Sequence, residues 1–180
     1  MSGRISRFIL SLFGWEVIVE EKPLPKKFVA AVVPHTSNWD FPLGLLARNV
    51  LGVDIKYVGK DSLFKPPLGF IFYWLGGYPV DRSKRQHFVD SVVDIFNQKD
   101  EFAIVLAPEG TRKKVDRLKT GFYYIAKKAN IPILLVKFDY GHKKVVIGKP
   151  FFPSSDFDAD FAYINSYFRG VQGKRPERSF

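Results

Sequence analysis

The residues of this sequence that could do chemistry gather in a few short segments, and the first is AVVPHTSNWDF, residues 31–41. An apolar run stops at Pro34 and is followed by His35 and, five positions later, Asp40. A carboxylate that orients an imidazole favours the tautomer whose second nitrogen accepts a proton, so the pair suits a general base acting on a substrate hydroxyl. The alternative, that Asp40 merely complements a helix N-terminus, stays open at this point.

The second segment is VLAPEGTRKK, residues 105–114, where a short apolar run is followed by Glu109, Gly110, Thr111 and Arg112. Glycine allows the backbone to approach a ligand closely, and the arginine guanidinium matches a phosphate or a carboxylate. A carboxylate directly after an apolar strand needs a partner, and we expect Arg112 or a substrate hydroxyl to provide it for Glu109. A tight turn beside a solvated basic run is the alternative.

The third segment is GGYPVDRSKR, residues 76–85, in which a short apolar run ends in Asp81 and Arg82. An ion pair at the surface beside a helix start would explain these two residues. All three segments, however, place charged side chains directly after a short apolar run. Their recurrence predicts that one base and two phosphate-matching cations meet in a single site.

The elements that must position these residues follow from hydrophobic periodicity. Short apolar runs predict buried strands, spacings of three and four residues predict helices, and the strands and helices alternate along the chain. The predicted strands are 27–33, 102–106, 131–138 and 143–148, the last two as a pair, and the predicted helices are 85–98, 118–130 and 158–168. We therefore expect an α/β fold, one domain over residues 1–180, with a mixed, mostly parallel sheet flanked by helices.

In such a sheet, ligands gather beyond the carboxyl ends of the strands. His35 follows a predicted strand directly, and Ser37 or Asn38 is placed to cap the next helix, which puts Asp40 in its first turn.

Composition limits the partners. The chain has 180 residues, no Cys and a net charge of +10, so disulfide and thiolate chemistry are excluded and a partner rich in phosphate or carboxylate is expected. The aromatic share of 16% exceeds what a small core needs and indicates an apolar surface or pocket.

The apolar segments predict contact with one face of a membrane. No signal peptide is expected, and the longest uncharged run, 66–80, is shorter than the roughly 18–20 residues that a spanning helix needs. Within 1–20, apolar residues recur at helical spacing beside two arginines, as in an interfacial helix, although a helix packed on the core fits equally well. The 66–80 run is expected to dip into a membrane or to wall an acyl-chain groove.

Four segments together resemble a known family, the glycerolipid acyltransferases of the lysophosphatidic acid acyltransferase type. PHTSNWD looks like the His-x4-Asp block of that family, GGYPVDR its second block, APEGTR its Glu-Gly-Thr-Arg block, and IPILLV its apolar proline block. The four stand in the family's order between residues 34 and 136.

The resemblance implies transfer of a fatty acyl group from acyl-CoA or acyl carrier protein to a hydroxyl of a lysophospholipid such as 1-acylglycerol 3-phosphate. His35 would deprotonate the acceptor and Asp40 would orient His35, without a covalent acyl-enzyme, a metal or a cofactor. In the substrate-binding site that the resemblance implies, Arg82 and Arg112 would hold the phosphate or equivalent anion of the acceptor. That pocket would be shaped by Glu109, Gly110 and Thr111, with Lys60 and Lys119 as further candidates for the same electropositive site. The expected location is cytoplasmic, on the anionic inner face of the cell membrane.

Other classes of protein fit this sequence less well. A basic nucleic-acid-binding domain would share the charge and the aromatics, but no RNP-type block, zinc-ligand spacing or GxxG clamp occurs, so no nucleic-acid partner is expected. A hydrolase is disfavoured because no G-x-S-x-G elbow occurs. A non-catalytic lipid-binding module stays as an alternative, although the four residues His35, Asp40, Glu109 and Arg112 are all present.

Overall fold

The structure, a computed structural model, describes residues 2–80 and 85–180, with the side chains of 59–61, 63, 80 and 85–87 outside the description. The described chain forms a seven-stranded sheet in the order β1-β7-β6-β2-β5-β3-β4. The strands are β1 (Glu16–Val19), β2 (Lys27–Val33), β3 (Ile55–Lys60), β4 (Gly77–Val80), β5 (Phe102–Leu106), β6 (Ile133–Asp139) and β7 (Lys144–Phe151). The helices are α1 (Gly3–Leu12), α2 (Asp40–Leu51), α3 (Gly69–Trp74), α4 (Arg85–Gln98), α5 (Gly121–Ala129) and α6 (Phe157–Phe168).

The sheet is mixed and mostly parallel, as the alternation of strands and helices predicted. β2 pairs in parallel with β5 and β6, β3 pairs in parallel with β4 and β5, and β7 runs antiparallel to β6. The carboxyl ends of β2, β5 and β6 therefore meet at one edge of the sheet. This edge places the residues that follow Val33, Leu106 and Asp139 side by side.

Alternating strand residues divide the core between the two faces of the sheet. One face packs against α4, α5 and α6 through Val29, Ile133 and other buried residues. The other face packs against α1 and α2 through the intervening positions, such as Ala30 and Leu134. Strands buried on both faces read as continuous apolar runs, which is why β2, β5 and β6 were recognisable in the sequence.

The predicted helix 118–130 is shorter at its start than expected. Its first turn is not helical, because the Lys119 N–H donates to the Pro108 carbonyl at 2.8 Å and Thr120 becomes the cap residue. The helix ends as predicted at Asn130, which adopts a left-handed conformation with φ of 52°. The C-terminal helix begins one residue earlier than predicted, because the Asp156 side chain caps it by accepting the Ala159 N–H at 3.0 Å.

Helix α1 packs on the core along one side and leaves an apolar side exposed, while its contact with a membrane interface stays a prediction. Its inner side packs on α2 through buried Ser6 and Leu10. Its outer side leaves Ile5, Phe8 and Leu12 exposed, the last two by more than 60%. In the part of the chain that the structure describes, no helix is long and apolar enough to cross a bilayer.

Helix α3 belongs to the run that was expected to dip into a membrane or to wall a groove. It lies on the same face of the sheet as α1 and α2, because Tyr57 on β3 contacts Phe41 of α2 and donates its hydroxyl proton to the Phe72 carbonyl of α3. Its side chains Phe70, Ile71, Tyr73 and Trp74 are exposed, with Trp74 at 82%.

Candidate active site

His35 and Asp40 meet at the carboxyl edge of the sheet. His35 lies two residues beyond the end of β2, and Asp40 is the first residue of α2. The imidazole Nδ1 lies 3.0 Å from Asp40 Oδ2, with the Asp40 side chain 2% exposed and the His35 side chain 27% exposed. The Asp40 carboxylate is therefore buried, while the His35 ring keeps an accessible side on which a substrate could approach.

The expected helix cap is wrong in detail. Trp39, not Ser37 or Asn38, is the cap residue of α2, and no side chain caps the helix. Instead, the Asp40 carboxylate folds back and Oδ2 accepts the Ser37 N–H at 2.9 Å. Oδ2 of Asp40 thus contacts both the imidazole and a backbone N–H of residues 34–39, the loop that carries His35.

Glu109 lies behind this loop. Its side chain is 1% exposed, and Oε2 accepts a hydrogen bond from the His35 backbone N–H, which corrects the expected pairing with Arg112 or a substrate hydroxyl. The other oxygen, Oε1, has no hydrogen-bond partner among the described residues. Burial raises the pKa of Glu109 to about 7, although the hydrogen bond from His35 opposes the rise. Glu109 therefore fixes the backbone that carries the imidazole.

Gly110 turns the chain directly after Glu109. Its φ of +65° is favourable for glycine, and a Cβ placed there would lie 2.2 Å from Lys119 Nζ. The lysine side chain therefore passes over the backbone of Gly110. The structure brings these two of the predicted site residues into contact.

The remaining predicted anion-binding residues are not gathered in the same way. Thr111 is partly buried and its hydroxyl accepts the Lys113 N–H at 3.3 Å, while Arg112 is exposed. Arg82 and the side chain of Lys60 lie outside the described residues. The loop that follows Gly110 carries exposed cations at positions 112, 113, 114, 117 and 119.

A cavity of about 1080 Å³ opens beside the imidazole. His35, Asp40, Gly110 and Lys119 line it, and apolar side chains of α2 and of the sheet form much of its wall. Ligand cavities in proteins typically measure roughly 300–1,000 Å³, so this volume suits a large and partly apolar ligand. The His35 imidazole, the Lys119 ammonium group and an apolar space thus adjoin one another in the same cavity.

Comparison with known proteins decides the family. The family model described as Acyltransferase matches residues 16–138, which include both His35 and Asp40 and the segment from Glu109 to Arg112. The chain belongs to this acyltransferase family. The resemblance inferred from the four sequence segments is confirmed.

Two relatives of this chain carry the same printed name, 1-acyl-sn-glycerol-3-phosphate acyltransferase. The protein from Saccharomyces cerevisiae is 32% identical over 134 residues, covering 69% of this chain and 43% of the yeast protein. The protein from Haemophilus influenzae is 32% identical over 98 residues, covering 51% of this chain and 41% of that protein. The chain therefore spans less than half the length of these relatives.

The fold is similar to that of a solved structure, the 1-acyl-sn-glycerophosphate (LPA) acyltransferase PlsC from Thermotoga maritima. The TM-score is 0.63 with 22% sequence identity, and the match covers 94% of this chain and 76% of that chain. The α/β architecture predicted from the sequence is thus confirmed.

Sequence reasoning missed two hydrogen bonds that support the His35 loop, residues 34–39. Tyr140, directly after β6, donates its hydroxyl proton to Asp40 Oδ1 at 2.8 Å. The buried Thr36 hydroxyl accepts the Arg175 N–H at 3.1 Å, so the C-terminal segment holds the loop from another side. Both partners lie 100 residues or more from the loop in sequence, and no local pattern marks them.

Proposed function

We propose that this chain transfers a fatty acyl group from a thioester donor, acyl-CoA or acyl carrier protein, to the free hydroxyl of 1-acylglycerol 3-phosphate or a related lysophospholipid. The observation that carries the proposal is the His35–Asp40 pair, 3.0 Å apart, which lines a large and mostly apolar cavity. The family and the printed names of its relatives support the reaction class.

The proposed reaction balances with His35 as the proton carrier. His35 Nε2 accepts the proton of the acceptor hydroxyl while Nδ1–H stays bonded to Asp40, and the acceptor oxygen attacks the thioester carbonyl carbon. The carbon–sulfur bond then breaks, and the imidazolium returns its proton to the thiolate. A base positioned in this way typically contributes ~10²–10⁴-fold to the rate, and these steps use no metal or cofactor.

The anionic part of the acceptor is proposed to bind beside Gly110. Lys119 contributes an ammonium group at the cavity wall, and Arg112 with Thr111 follows on the exposed loop. Arg82 and Lys60 stay candidates by sequence. The acyl chain is proposed to lie in the apolar part of the cavity under α2.

The surface that carries α1, α2 and α3 is proposed to contact an anionic membrane. Its exposed large apolar side chains are Ile5, Phe8, Leu12, Phe13, Trp39, Phe41, Leu68, Phe70, Ile71, Tyr73 and Trp74. Among the described residues, the other exposed large apolar side chains are Tyr124, Phe152 and Tyr163. Exposed apolar side chains gathered on one side are typical of a protein that binds a membrane interface. Its position on the inner face of the cell membrane stays a prediction.

The function is tested by incubating the protein with acyl-CoA or acyl carrier protein and a panel of lysophospholipids, while thiol release is measured and products are identified by mass spectrometry. We expect thiol release that depends on the acceptor and yields a diacylated phospholipid. Binding of lysolipid without thiol release from either donor would contradict the enzyme and favour the non-catalytic lipid-binding module.

Membrane contact is tested by sedimentation with vesicles of phosphatidylglycerol and phosphatidylcholine. We expect Phe8→Asp combined with Trp74→Asp to reduce the bound fraction severalfold, because charge opposes insertion of an apolar side chain. The control pair, Phe152→Asp with Tyr163→Asp, carries the same charge change outside this surface and should bind like the unmodified protein. Equal losses in both variants would refute the orientation.

A further inference from the structure

We propose that Tyr140 is a positioning residue for the acyl-transfer site, which holds the Asp40 carboxylate so that one oxygen always faces the His35 imidazole. The inference rests on the proposed function and adds a third member to the pair that the sequence motif contains. Tyr140 does not line the large cavity, so its influence would pass through Asp40.

The two oxygens of Asp40 have separate partners. Oδ1 accepts the Tyr140 hydroxyl proton at 2.8 Å. Oδ2 accepts the Ser37 N–H at 2.9 Å and lies 3.0 Å from His35 Nδ1. Because each oxygen is bound from a different direction, the carboxylate is prevented from rotating about its Cβ–Cγ bond.

The Tyr140 hydroxyl keeps its proton in this position and can therefore donate to Asp40. Burial, together with the hydrogen bond to Asp40, raises the pKa of Tyr140 well above its ordinary value. The phenol therefore keeps its proton throughout the pH range in which an enzyme works. As a hydroxyl that donates to a carboxylate, it forms a charge-assisted hydrogen bond, which is stronger than one between neutral groups.

Tyr140 is itself held by surrounding structure. It follows β6, which pairs with β2 in parallel, so it reaches the same edge of the sheet as His35. Its backbone N–H donates to the Gln172 carbonyl at 2.8 Å, and its ring packs edge-on against Trp15 with the centroids 4.8 Å apart. A donor placed on a strand end and fixed from two sides needs no reorganisation during the reaction.

Loss of this hydroxyl should alter the protonation of the imidazole before it alters the fold. Without a donor on Oδ1, the buried Asp40 carboxylate is held through Oδ2 alone and turns more readily, so its bond to His35 Nδ1–H weakens. The ring then also populates the tautomer with its proton on Nε2, which is unable to accept the proton of the acceptor. The rate of the chemical step falls, whereas substrate binding is unaffected.

The kinetic test compares Tyr140→Phe with Tyr123→Phe. Both substitutions remove one hydroxyl that donates to a buried aspartate at 2.8 Å, but Tyr123 bonds to Asp160, outside the site. We expect Tyr140→Phe to lower kcat about tenfold with KM unchanged, as for an interaction that matters in the transition state alone. Tyr123→Phe should keep kcat per folded molecule, with folding checked by circular dichroism.

The second test needs no substrate and so separates this inference from the proposed function. The ¹⁵N resonances of the imidazole rings report which nitrogen carries the proton, and the His35 signals are assigned by their loss in His35→Ala. We expect one tautomer, protonated on Nδ1, in the unmodified protein and in Tyr123→Phe, and a mixture in Tyr140→Phe. An unchanged tautomer in Tyr140→Phe would overturn the inference whether or not acyl transfer is observed, and so would a kcat within twofold of the unmodified protein.

Discussion

Asp40 and Asp160 are two buried carboxylates with nearly the same surroundings and different consequences. Each accepts a tyrosine hydroxyl proton at 2.8 Å, and each accepts a backbone N–H from a serine, at 2.9 Å for Ser37 and 2.7 Å for Ser154. Asp160 takes its remaining hydrogen bond from the Ser154 hydroxyl at 2.9 Å, whereas Asp40 faces the imidazole of His35.

The two carboxylates differ in the last of their hydrogen-bond partners. Within the described chain, the groups that donate to the Asp160 carboxylate belong to serine and tyrosine, and the carboxylate joins α6 to the buried Tyr123 of α5. Asp40 is joined to a ring that is partly exposed and lines a cavity. A buried aspartate bonded to a tyrosine thus only stabilises the fold at Asp160. The same arrangement contributes to the candidate site at Asp40, because the last partner there is an imidazole that a substrate can reach.

The largest difference between the two regions is expected from replacing each carboxylate with an amide. Asp40→Asn should lower kcat about 10³-fold, because an amide neither stabilises the imidazolium nor fixes the tautomer. Asp160→Asn should leave kcat per folded molecule nearly unchanged and lower the free energy of unfolding by roughly 2 kcal/mol, since buried donors lose a charged acceptor. Steady-state rates and urea titrations measure the two effects. Equal losses of kcat would show that the two regions are functionally alike.

A third buried carboxylate, Glu109, differs from Asp160 in how its contribution to stability depends on pH. Hydrogen bonds from Ser154 and Tyr123 keep the pKa of Asp160 below its ordinary value although burial opposes them, so its contribution to stability is present above pH 3.8 and is lost as pH falls below it. Burial instead raises the pKa of Glu109 from 4.5 to about 7. Its contribution is therefore fully present below pH 4.5 and is lost as pH rises towards 7.

We expect the free energy of unfolding to decline between pH 4.5 and 7 by up to about 3 kcal/mol on account of Glu109, the equivalent of that rise in pKa. In Glu109→Gln this decline should be absent. Glu101→Gln, which changes an exposed carboxylate, should retain it. Urea titrations at several pH values decide the matter, and a decline that persists in Glu109→Gln would mean that another group is responsible.

The smallest expected effect concerns the C-terminal support of the His35 loop. Thr36→Val removes the buried hydroxyl that accepts the Arg175 N–H, and should lower the free energy of unfolding by about 1 kcal/mol and kcat about threefold. Ser166→Ala removes an exposed hydroxyl bonded within α6 and should change neither quantity. If kcat stays constant in Thr36→Val, the loop keeps its geometry without this contact.

The sequence allowed the fold and half of the site to be predicted, for identifiable reasons. β2 and β5 are buried on both faces of the sheet and so form continuous apolar runs, and parallel strands necessarily deliver His35 and Glu109 to one edge. The edge strand β1 and the inner strand β3 were missed, because neither forms a continuous apolar run.

The contacts that complete the site depend on tertiary register. Tyr140 reaches Asp40 because β6 lies next to β2, which the residues around Tyr140 do not reveal. The partner of Glu109 was predicted wrongly because a backbone N–H, unlike an arginine, leaves no trace in the residue types. Side-chain chemistry was therefore readable from the sequence, whereas backbone donors and distant hydroxyls were not.

The central claim is that the imidazole of His35 accepts the acceptor proton. It is tested most directly by comparing His35→Ala with His142→Ala, because His142 also pairs with an aspartate, Asp139, at 2.8 Å, but is 77% exposed. With acyl donor and 1-acylglycerol 3-phosphate, we predict that thiol release falls about 10³-fold in folded His35→Ala and stays within twofold in His142→Ala. Undiminished thiol release by His35→Ala would contradict the account.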